Sequence, residues 1–418
     1  MGRKQKLGRS ITSAVVDTTK RKRSLLRRVL RLLKALFTLY SVQLHQHRQD
    51  IFSNLRHKWY IDDDTYRSSF DPHDALRKKG HMGYSGSTFF TTSDERYLIK
   101  SVPRHFENSF FKEDLLQPYE EYMISHVSSL LVRITDFLAA DDVYKISPGI
   151  LLGLAPSHHI IMENLLFGRD ESEAKAKEAL ERYRNGSSAY ASETVKEEQW
   201  KWETWDLKPT TYFFPERDIA SGKLASEATK SRLADEFNDK LVLTAEQAKT
   251  FMNQLRQDTD LLREANAVDY SLFLVRIPKS KVVGIDQTKS QQDEPQNPFT
   301  DDAHPENDVS NPIADTTAPE PTTHPFAPPT PPTWRTGIES ADGNYVYRAV
   351  ILDFFWAKHK VRAKLMTALV NIWNKINLGG DKGPMSITTS SSEYQGRFLG
   401  MCEGFIEVED VGEEADDS

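Results

Sequence analysis

The stretch ANAVDYSLFLVRI, residues 265–277, places a single acid just before an apolar segment. Residues 272–277 are apolar on both alternating faces, which predicts a buried strand. A charge beside a core element needs a reason, and catalysis is one, so Asp269 is a candidate catalytic residue. Taken alone, the pattern is more typical of an acid that caps a turn beside a core strand.

The segment before this stretch has the pattern of a helix. Thr244 and Gln247 have the spacing of a capping box, in which two residues satisfy each other's backbone N–H groups at a helix start. Apolar residues then recur at helical intervals, namely Ala248, Phe251, Met252 and Leu255. The sequence therefore predicts a helix, a tight connection, the acid and a buried strand, in that order.

The composition indicates a globular protein. Its 418 residues are 38% hydrophobic, enough for one large or two ordinary domains. A single cysteine, Cys402, excludes an internal disulfide and a cysteine-rich zinc site, and is typical of a reducing compartment. The net charge of -7 combines a basic amino-terminal part with an acidic tail. No secretory signal is expected, and residues 29–44 are too short a run for a membrane span.

Residues 20–40, KRKRSLLRRVLRLLKALFTLY, predict a basic amphipathic helix. Such a helix can lie on an anionic membrane surface, where each cation near the lipid contributes about 1 kcal/mol. Three other interpretations fit the same pattern: a nuclear import signal, a nucleic-acid patch, and a helix packed on the protein's own core. Aromatic residues are not interleaved with the basic ones as on a base-stacking surface, which disfavours nucleic acid.

A glycine-rich turn, HMGYSGSTFF at residues 81–90, precedes a predicted strand at residues 97–102. Gly83 and Gly86 would expose backbone N–H groups that can cradle phosphate oxygens. Lys100 lies on a mostly apolar strand face, a placement that a nucleotide's phosphates would explain. Most lysines on strands simply reach water, but a glycine turn, a hairpin and a lysine together favour a nucleotide site.

Residues 345–355, YVYRAVILDFF, predict a long strand with Asp353 at its carboxyl end. Mg²⁺ prefers carboxylate oxygens at such a strand end, although an acid that simply closes a strand gives the same pattern. Cations then precede an apolar stripe, which suits a segment that docks on lipid headgroups. These cations are Lys358, Lys360, Arg362 and Lys364.

Two segments are predicted to be insertions. Residues 279–333 contain eleven of the chain's twenty prolines and almost no periodic apolar residues, so burial cannot offset the entropy of ordering them. We therefore predict a disordered insertion there. Residues 168–198 are rich in Glu, Ala, Lys and Ser and predict an exposed helix at residues 171–184, without an assigned role.

Six features, in chain order, resemble the phosphatidylinositol phosphate kinase family. They are the glycine turn at residues 83–87, Lys100, Met162 in MENLL, Asp206-Leu-Lys208, Asp269 in DYSL, and Asp353. The resemblance covers residues 60–406 apart from the two insertions. An ordinary protein kinase is disfavoured, because no His-Arg-Asp precedes Asp269 and no Ala-Pro-Glu follows Asp353.

The resemblance implies a two-lobed α+β fold with antiparallel sheets plus a disordered insert. The implied division is a basic amphipathic segment 1–59, an amino-terminal kinase lobe 60–166, an insertion 167–198, the start of the carboxyl-terminal lobe 199–278, a proline-rich insertion 279–340, a metal-binding strand with activation segment and closing helix 341–408, and an acidic tail 409–418.

The resemblance also implies a role for each matched residue. ATP would be bound by Gly83, Ser85, Gly86, Ser87, Lys100, Met162 and Asn164, Mg²⁺ by Asp353 and Asp269, and catalysis would rest on Asp269 and Lys100. The lipid's phosphates would meet Lys208, Arg217, Lys358, Lys360, Arg362 and Lys364. A helix glutamate would pair with Lys100, and spacing does not choose among Glu107, Glu113, Glu120 and Glu121.

Two positions depart from the family pattern. Pro209-Thr210 stands where the family has Gly-Ser. Phe214 stands where a basic residue helps to bind the lipid phosphate, so Arg217 would have to substitute for it. These departures put substrate binding in doubt without affecting ATP binding.

The implied activity is phosphorylation of phosphatidylinositol 4-phosphate at the 5-position by Mg-ATP. The implied partners are phosphoinositide lipids and an anionic membrane surface; nucleic acid is disfavoured, and a homo-oligomer is left open. The implied location is the cytoplasm, peripheral at the inner face of the plasma membrane, with the nucleus second. Two alternatives are a catalytically weak, membrane-associated scaffold of the same fold and a nuclear protein whose basic amino terminus binds nucleic acid.

Overall fold

The computed structural model describes residues 3–16, 42–71, 76–78, 88–140, 148–151, 155–186, 201–209, 237–279, 333–357 and 390–409. Within them the chain forms a six-stranded sheet, a four-stranded sheet, two short strand pairs and the helices that pack on these strands. This mixture confirms the predicted α+β class. The predicted basic helix at residues 20–40 and most of the proline-rich segment lie outside the described residues.

The strands of the six-stranded sheet are β1 (Leu44–Gln46), β2 (Arg77–Lys78), β3 (Phe89–Thr91), β4 (Tyr97–Ser101), β5 (Ile134–Ala140) and β6 (His158–Glu163). All neighbours pair antiparallel, in the order β1-β5-β6-β4-β3-β2. Every residue of β4, β5 and β6 is buried. Other elements must therefore cover both faces of this sheet.

Helices of the same region provide that cover, and together with the six-stranded sheet they form what we call the first lobe. They are α1 (Arg3–Val16), α2 (Gln49–Lys58), α3 (Asp63–Ser68), α4 (His105–Phe110), a π-helical turn (Phe111–Leu115), α5 (Leu116–Ser125) and α6 (Pro148–Leu151). α1 packs against β1 and buries Leu7, Ile11 and Val15.

A buried charge cluster fixes α2 to β5. Arg56 donates to Asp63 at 2.8 Å and to the carbonyl of Thr135 at 2.8 Å, and its guanidinium lies 3.7 Å from the Asp136 carboxylate. Burial raises the pKa of Asp136 to about 6, although Arg56 opposes the shift. β1 pairs with β5 and α2 packs on β5, so elements before residue 60 also contribute to the first lobe. The basic composition of the first residues hides their buried positions.

The strands of the second region are β7 (Glu203–Leu207), β8 (Leu241–Leu243), β9 (Ala267–Val268), β10 (Ser271–Pro278), β11 (Ile338–Glu339), β12 (Tyr345–Leu352), β13 (Trp356–Ala357) and β14 (Ile406–Val408). The four-stranded sheet has the order β11-β12-β10-β7 and is antiparallel throughout. β9 pairs with β13, and β8 pairs with β14 in parallel. β10 confirms the predicted buried strand, and β12 confirms the predicted long strand.

The helices that the structure describes in this part of the chain are α7 (Arg169–Gly186), α8 (Ala245–Glu264) and α9 (Ser391–Gly404). The capping box predicted for α8 is present, since Thr244 and Gln247 each accept a hydrogen bond from the other's backbone N–H. α7 confirms the predicted helix of the first insertion. α8 packs against α9, and these two helices with the four-stranded sheet form the second lobe. In the described ranges, no helix combines the length and apolarity that crossing a membrane requires.

Candidate active site

The ends of three neighbouring strands define the candidate site. β10 lies between β7 and β12, with Leu272 opposite Leu207 and Ser271 opposite Leu352. Because β10 is antiparallel to both neighbours, its start meets the ends of the other two strands. Three acids are thereby brought to one edge of the second-lobe sheet: Asp206 in β7, Asp269 just before β10 and Asp353 just after β12.

Two of these acids share an uncommon backbone conformation. The φ angles of Asp269 and Asp353 are +66° and +64°, in the left-handed region that residues other than glycine rarely occupy. Each acid lies between a long core strand and one strand of the β9–β13 pair, in which Val268 is opposite Trp356. Such strain persists where the surrounding structure enforces it, and it is common at functional sites.

One salt bridge joins the two lobes at this edge. Lys100 Nζ, on β4 of the first lobe, donates to Oδ1 of Asp353. The Lys100 side chain is only 9% exposed, so its ammonium needs a countercharge. The lysine predicted to bind phosphates and the acid predicted to bind metal therefore lie side by side.

A second lysine–aspartate pair lies at the same edge, within the second lobe. Lys208 Nζ donates to Oδ1 of Asp269 at 2.6 Å and to the Asp269 carbonyl at 2.9 Å. Burial acts to lower the pKa of Lys208, but the carboxylates of Asp269, Asp206 and Asp353 outweigh it and raise the pKa. Lys208 therefore remains protonated beside the predicted catalytic acid.

The pKa values of Asp206 and Asp353 are shifted in opposite directions. At Asp206, burial raises the pKa, and Lys208 only partly opposes the shift. At Asp353, burial also acts to raise the pKa, but Lys100 and Lys208 outweigh it, so the pKa is lowered. Asp353 consequently keeps its negative charge at neutral pH, as a metal ligand must.

Glu107 on α4, one of the four helix glutamates, lies close enough to these charges for them to affect its pKa. Burial raises its pKa to about 7, Arg104 and Lys100 oppose the shift, and Asp353 and Asp269 add to it. Arg104 donates to the Glu107 carboxylate at 3.1 Å. The salt bridge that the structure gives Lys100 is to Asp353, and the pairing of a helix glutamate with Lys100 stays a prediction.

Met162 and Asn164 have different positions relative to Lys100. Met162 pairs with Leu98, and Leu98 and Lys100 are two residues apart on β4, so Met162 lies on the Lys100 face of the sheet. The side-chain amide of Asn164 donates to the Glu95 carbonyl at 2.7 Å, and its backbone N–H donates to the Arg96 carbonyl at 3.1 Å. Asn164 therefore shapes the turn after β6.

Several predicted site residues lie outside the described residues. They are Gly83, Ser85, Gly86 and Ser87 of the glycine turn, Arg217, and the cations Lys358, Lys360, Arg362 and Lys364. The described residues thus bring together Lys100, Lys208, Asp269 and Asp353 out of the predicted set. Asp206, which the sequence placed in a motif without a role, joins them because it is two residues from Lys208.

Sequence reasoning missed one supporting residue. The Tyr394 hydroxyl, on α9, donates to the carbonyl of Tyr270, the residue after Asp269. The two tyrosine rings also pack edge to face with their centres 4.7 Å apart. Tyr394 is 124 residues from Tyr270, and no local pattern links them. α9 thereby holds the backbone next to the predicted catalytic acid.

The donor set fits Mg²⁺. In the described part of the chain, no three acidic, histidine or cysteine side chains are arranged as a complete metal site. Mg²⁺ needs no such cage, because it is commonly held by one or two carboxylates together with substrate phosphates and water. Asp353 and Asp269 supply hard oxygen donors of this kind at one sheet edge.

Comparisons with known proteins point to one family. A family model described as phosphatidylinositol-4-phosphate 5-kinase matches residues 71–405. The matched range includes β4 with Lys100 and all three strand ends that carry the acids.

Individual relatives are more distant. The chain is 26% identical over 200 residues to a probable phosphatidylinositol phosphate kinase of Dictyostelium discoideum, covering 48% of this chain and 22% of that protein. It is 25% identical over 226 residues to phosphatidylinositol 5-phosphate 4-kinase type-2 beta of Rattus norvegicus, covering 54% and 44%. It is 26% identical over 258 residues to phosphatidylinositol 4-phosphate 5-kinase of Plasmodium falciparum, covering 58% and 13%. The alignments thus span less than half the length of each of these relatives.

Proposed function

The chain belongs to the phosphatidylinositol phosphate kinase family, and on that premise we propose that it transfers the γ-phosphoryl group of ATP to an inositol-ring hydroxyl of a phosphatidylinositol monophosphate. The observation that carries the proposal is the contact between Lys100 and Asp353 across the two lobes, beside the pair formed by Lys208 and Asp269. Phosphoryl transfer needs cations for the phosphates and carboxylates for a metal and for the attacking hydroxyl.

In this proposal the charged residues divide the work of phosphoryl transfer, and Asp269 has two tasks. Lys100 binds phosphate oxygens of ATP, in exchange for its contact with Asp353. Asp269 accepts a hydrogen bond from the ring hydroxyl and takes up its proton as the oxygen attacks phosphorus. Lys208, which Asp269 holds at 2.6 Å, neutralises charge that develops on the transferred phosphoryl group.

Asp353 and Asp269 would hold Mg²⁺. When bound, the ion supplies positive charge to the β- and γ-phosphates during transfer. Met162 would contribute to the adenine pocket, because it lies on the Lys100 face of the first-lobe sheet. The glycine turn at residues 83–87 would cover the phosphates.

The finer proposal is that the substrate is phosphatidylinositol 4-phosphate and the product phosphatidylinositol 4,5-bisphosphate. The description of the matching family supports it. Relatives named for the 5-phosphate 4-kinase activity match as well, so the ring position is the part that needs measurement. The proposed contacts with the lipid's phosphates are Lys208, Arg217, Lys358, Lys360, Arg362 and Lys364.

The decisive experiment combines labelled ATP with a panel of substrates. The full chain is incubated with Mg²⁺, γ-labelled ATP and vesicles that each contain one of the three phosphatidylinositol monophosphates, and the products are resolved by ring position. We expect label at the 5-position of phosphatidylinositol 4-phosphate, and background label with Asp353→Asn. Asp64→Asn is the matched control, since its side chain is 92% exposed. Equal turnover by the wild type and Asp353→Asn would refute the assignment.

A second candidate function is a membrane-associated scaffold with little or no turnover. It is favoured by Pro209, which directly follows Lys208 where the family has glycine, and by Phe214 where the family has a basic residue. A scaffold would still gain thermal stability from Mg-ATP, without labelling any of the three lipids. Turnover that depends on Asp353 would exclude it.

We further propose a peripheral location at the inner face of the plasma membrane, with the basic residues 20–40 as the lipid contact. Sedimentation with anionic vesicles, compared with neutral vesicles and with duplex DNA, tests this location against the nuclear alternative. Binding to DNA in preference to anionic vesicles would contradict it.

A further inference from the structure

Arg335 lies in a fully enclosed position between the two lobes. Its side chain is 3% exposed, and its partner, the Glu163 side chain, is 1% exposed. The guanidinium donates to the Glu163 carboxylate with one terminal nitrogen and to the carbonyls of Ser129 and Leu131 with the other. A planar, five-donor guanidinium suits a task in which several acceptors must be held in fixed directions.

The acceptors of Arg335 belong to two first-lobe segments at the boundary with the second lobe. Residues 129–132 run beside β12 of the second lobe, where the Ile351 N–H donates to the Leu130 carbonyl at 2.7 Å, and then continue into β5 of the first lobe. Glu163 ends β6 of the first lobe, and the chain then leaves toward the second lobe. Arg335 therefore bonds to both first-lobe segments at once.

These two segments are also hydrogen-bonded to each other through Glu163. Its Oε1 atom accepts a hydrogen bond from the Arg133 backbone N–H at 2.8 Å, and the Glu163 N–H donates to the Arg133 carbonyl at 3.0 Å. Burial lowers the pKa of Arg133 to about 9, and the nearby Arg335 adds to this shift. The charges at this junction are thus close enough for Arg335 to affect the pKa of Arg133.

The turn that carries Arg335 is anchored in the second lobe. Trp334 packs on Phe251 of α8 with ring centres 4.1 Å apart, and its carbonyl accepts from the Ala349 N–H of β12 at 2.8 Å. Gly337, with φ of +136°, allows a close approach that a side chain would block, since an added Cβ would lie 2.5 Å from Val346 Cγ1. The backbone of Arg335 is therefore fixed to the second lobe while its side chain bonds to both first-lobe segments.

A second arginine, Arg348, holds the chain that follows β6. Arg348 of β12 donates to the carbonyls of Leu165 and Phe167, each at 3.1 Å, and to the carbonyl of Thr336 in the Arg335 turn at 3.1 Å. The chain after β6 is thus held at its start by Arg335 and a few residues later by Arg348. Both arginines come from residues that follow the proline-rich segment in sequence.

We propose that Arg335 is a positioning residue that sets the orientation of the two lobes, and so the placement of Lys100 relative to Asp353. Lys100 comes from the first lobe and Asp353 from the second, so their separation depends on that orientation. Loosening the junction would let the two side chains drift apart without removing either one. Misplacement of reacting groups by about 1 Å can cost about 100-fold in rate.

The test compares two variants of Arg335. Arg335→Met together with Glu163→Gln removes both buried charges, so that neither is left unpaired, and the glutamine oxygen can still accept from the Arg133 N–H. Arg335→Lys keeps the charge but cannot reach all three acceptors in fixed directions. Arg256→Met, at an exposed position of α8, is the matched control.

The first measurement is the distance between the lobes. Cys402, the only cysteine, is buried, so nitroxide labels can be confined to Lys58→Cys in the first lobe and Lys249→Cys in the second, both exposed. We expect a narrow distance distribution in the wild type and Arg256→Met, and a broader one in both Arg335 variants. If the double variant does not fold, Arg335→Lys alone decides.

The second measurement is lipid kinase turnover, which rests on the proposed function. We expect kcat to fall about tenfold or more in both Arg335 variants, with a smaller change in KM for ATP. Wild-type distance distributions in the Arg335 variants would overturn the inference whatever the kinetics. Broadened distributions in a chain that never labels lipid would keep the inference and refute the proposed function instead.

Discussion

Lys100 Nζ and the Asp353 carboxylate, 253 residues apart in sequence, form a salt bridge between two separate sheets. Each group serves as the countercharge of the other, because both side chains are largely shielded from water. An ATP phosphate is negatively charged, as Asp353 is, and a Mg²⁺ ion is positively charged, as Lys100 is. In the proposed function, Mg²⁺ would replace Lys100 beside Asp353 and an ATP phosphate would replace Asp353 beside Lys100, so neither side chain would be left unpaired.

The first prediction concerns Lys100. Lys100→Met should reduce lipid phosphorylation by about 100-fold or more, because removing one preorganised donor to developing charge commonly has an effect of that size. The substitution should also raise the pKa of Asp353, since Lys100 is the main group that opposes the effect of burial there. Steady-state kinetics with varied Mg-ATP checks the first effect. Unchanged kcat/KM would mean that Lys100 does not bind the nucleotide.

The raised pKa of Glu107 predicts that the stability of the fold depends on pH. Its pKa of about 7 in the fold lies above the ordinary value of 4.5, so the folded protein holds a proton that the unfolded chain releases. Its contribution to stability is complete below about pH 4.5 and is lost as the pH rises through about 7. The total loss is about 3 kcal/mol. Glu107→Gln should abolish it.

Urea unfolding at a series of pH values tests this dependence. The free energy of unfolding of Glu107→Gln, relative to the wild type, should increase between about pH 4.5 and pH 8. Glu121→Gln, at an exposed position of α5, should show no such trend. A constant difference between Glu107→Gln and the wild type across this range would contradict the raised pKa.

Tyr394→Phe should separate rate from substrate binding. It removes only the hydroxyl that donates to the Tyr270 carbonyl, at a cost of about 1 kcal/mol in stability. Because Asp269 precedes Tyr270, its backbone should loosen, and kcat should fall more than KM for either substrate. Tyr122→Phe is the control: its hydroxyl donates at 2.8 Å to Asp258, which also accepts from Gln254. If both variants lost kcat equally, the effect would be general destabilisation.

Substitution of Arg56 should be among the most destabilising substitutions in the first lobe. Arg56→Met would leave the fully buried Asp136 without its nearest cation, and removing one partner of a buried ion pair costs about 3–5 kcal/mol. Adding Asp136→Asn should recover part of the loss, because the remaining buried charge is then removed. Thermal unfolding of the two variants checks this order. A double variant less stable than Arg56→Met would contradict it.

Much of the second lobe was predictable because its signals are local. The capping box at Thr244 and Gln247, the apolar run that became β10, and the acid at the end of β12 each depend on neighbouring residues. Pairings between distant residues were not predictable. Nothing near Lys208 in sequence indicates that its ammonium binds Asp269, 61 residues later, and nothing near Glu163 indicates Arg335, 172 residues later.

The first lobe shows another limit of prediction from patterns. Four glutamates were equivalent by spacing, and only the packing of α4 near the site singled out Glu107. Burial of α1 was hidden by the basic residues around its apolar positions. Local patterns thus identify elements, whereas charge pairing and burial depend on which elements come together.

Leu44, which pairs antiparallel with Ala140, lies outside the range that the family match covers, because that match begins at residue 71. A shortened protein cut at the start of the match would lose β1 and leave one side of β5 with unsatisfied backbone groups. Exposed strand margins of that kind recruit strands from other molecules and promote aggregation. The autonomous folding unit is therefore longer at its amino terminus than the region recognised by similarity, and truncations intended for expression should retain residues 3–70.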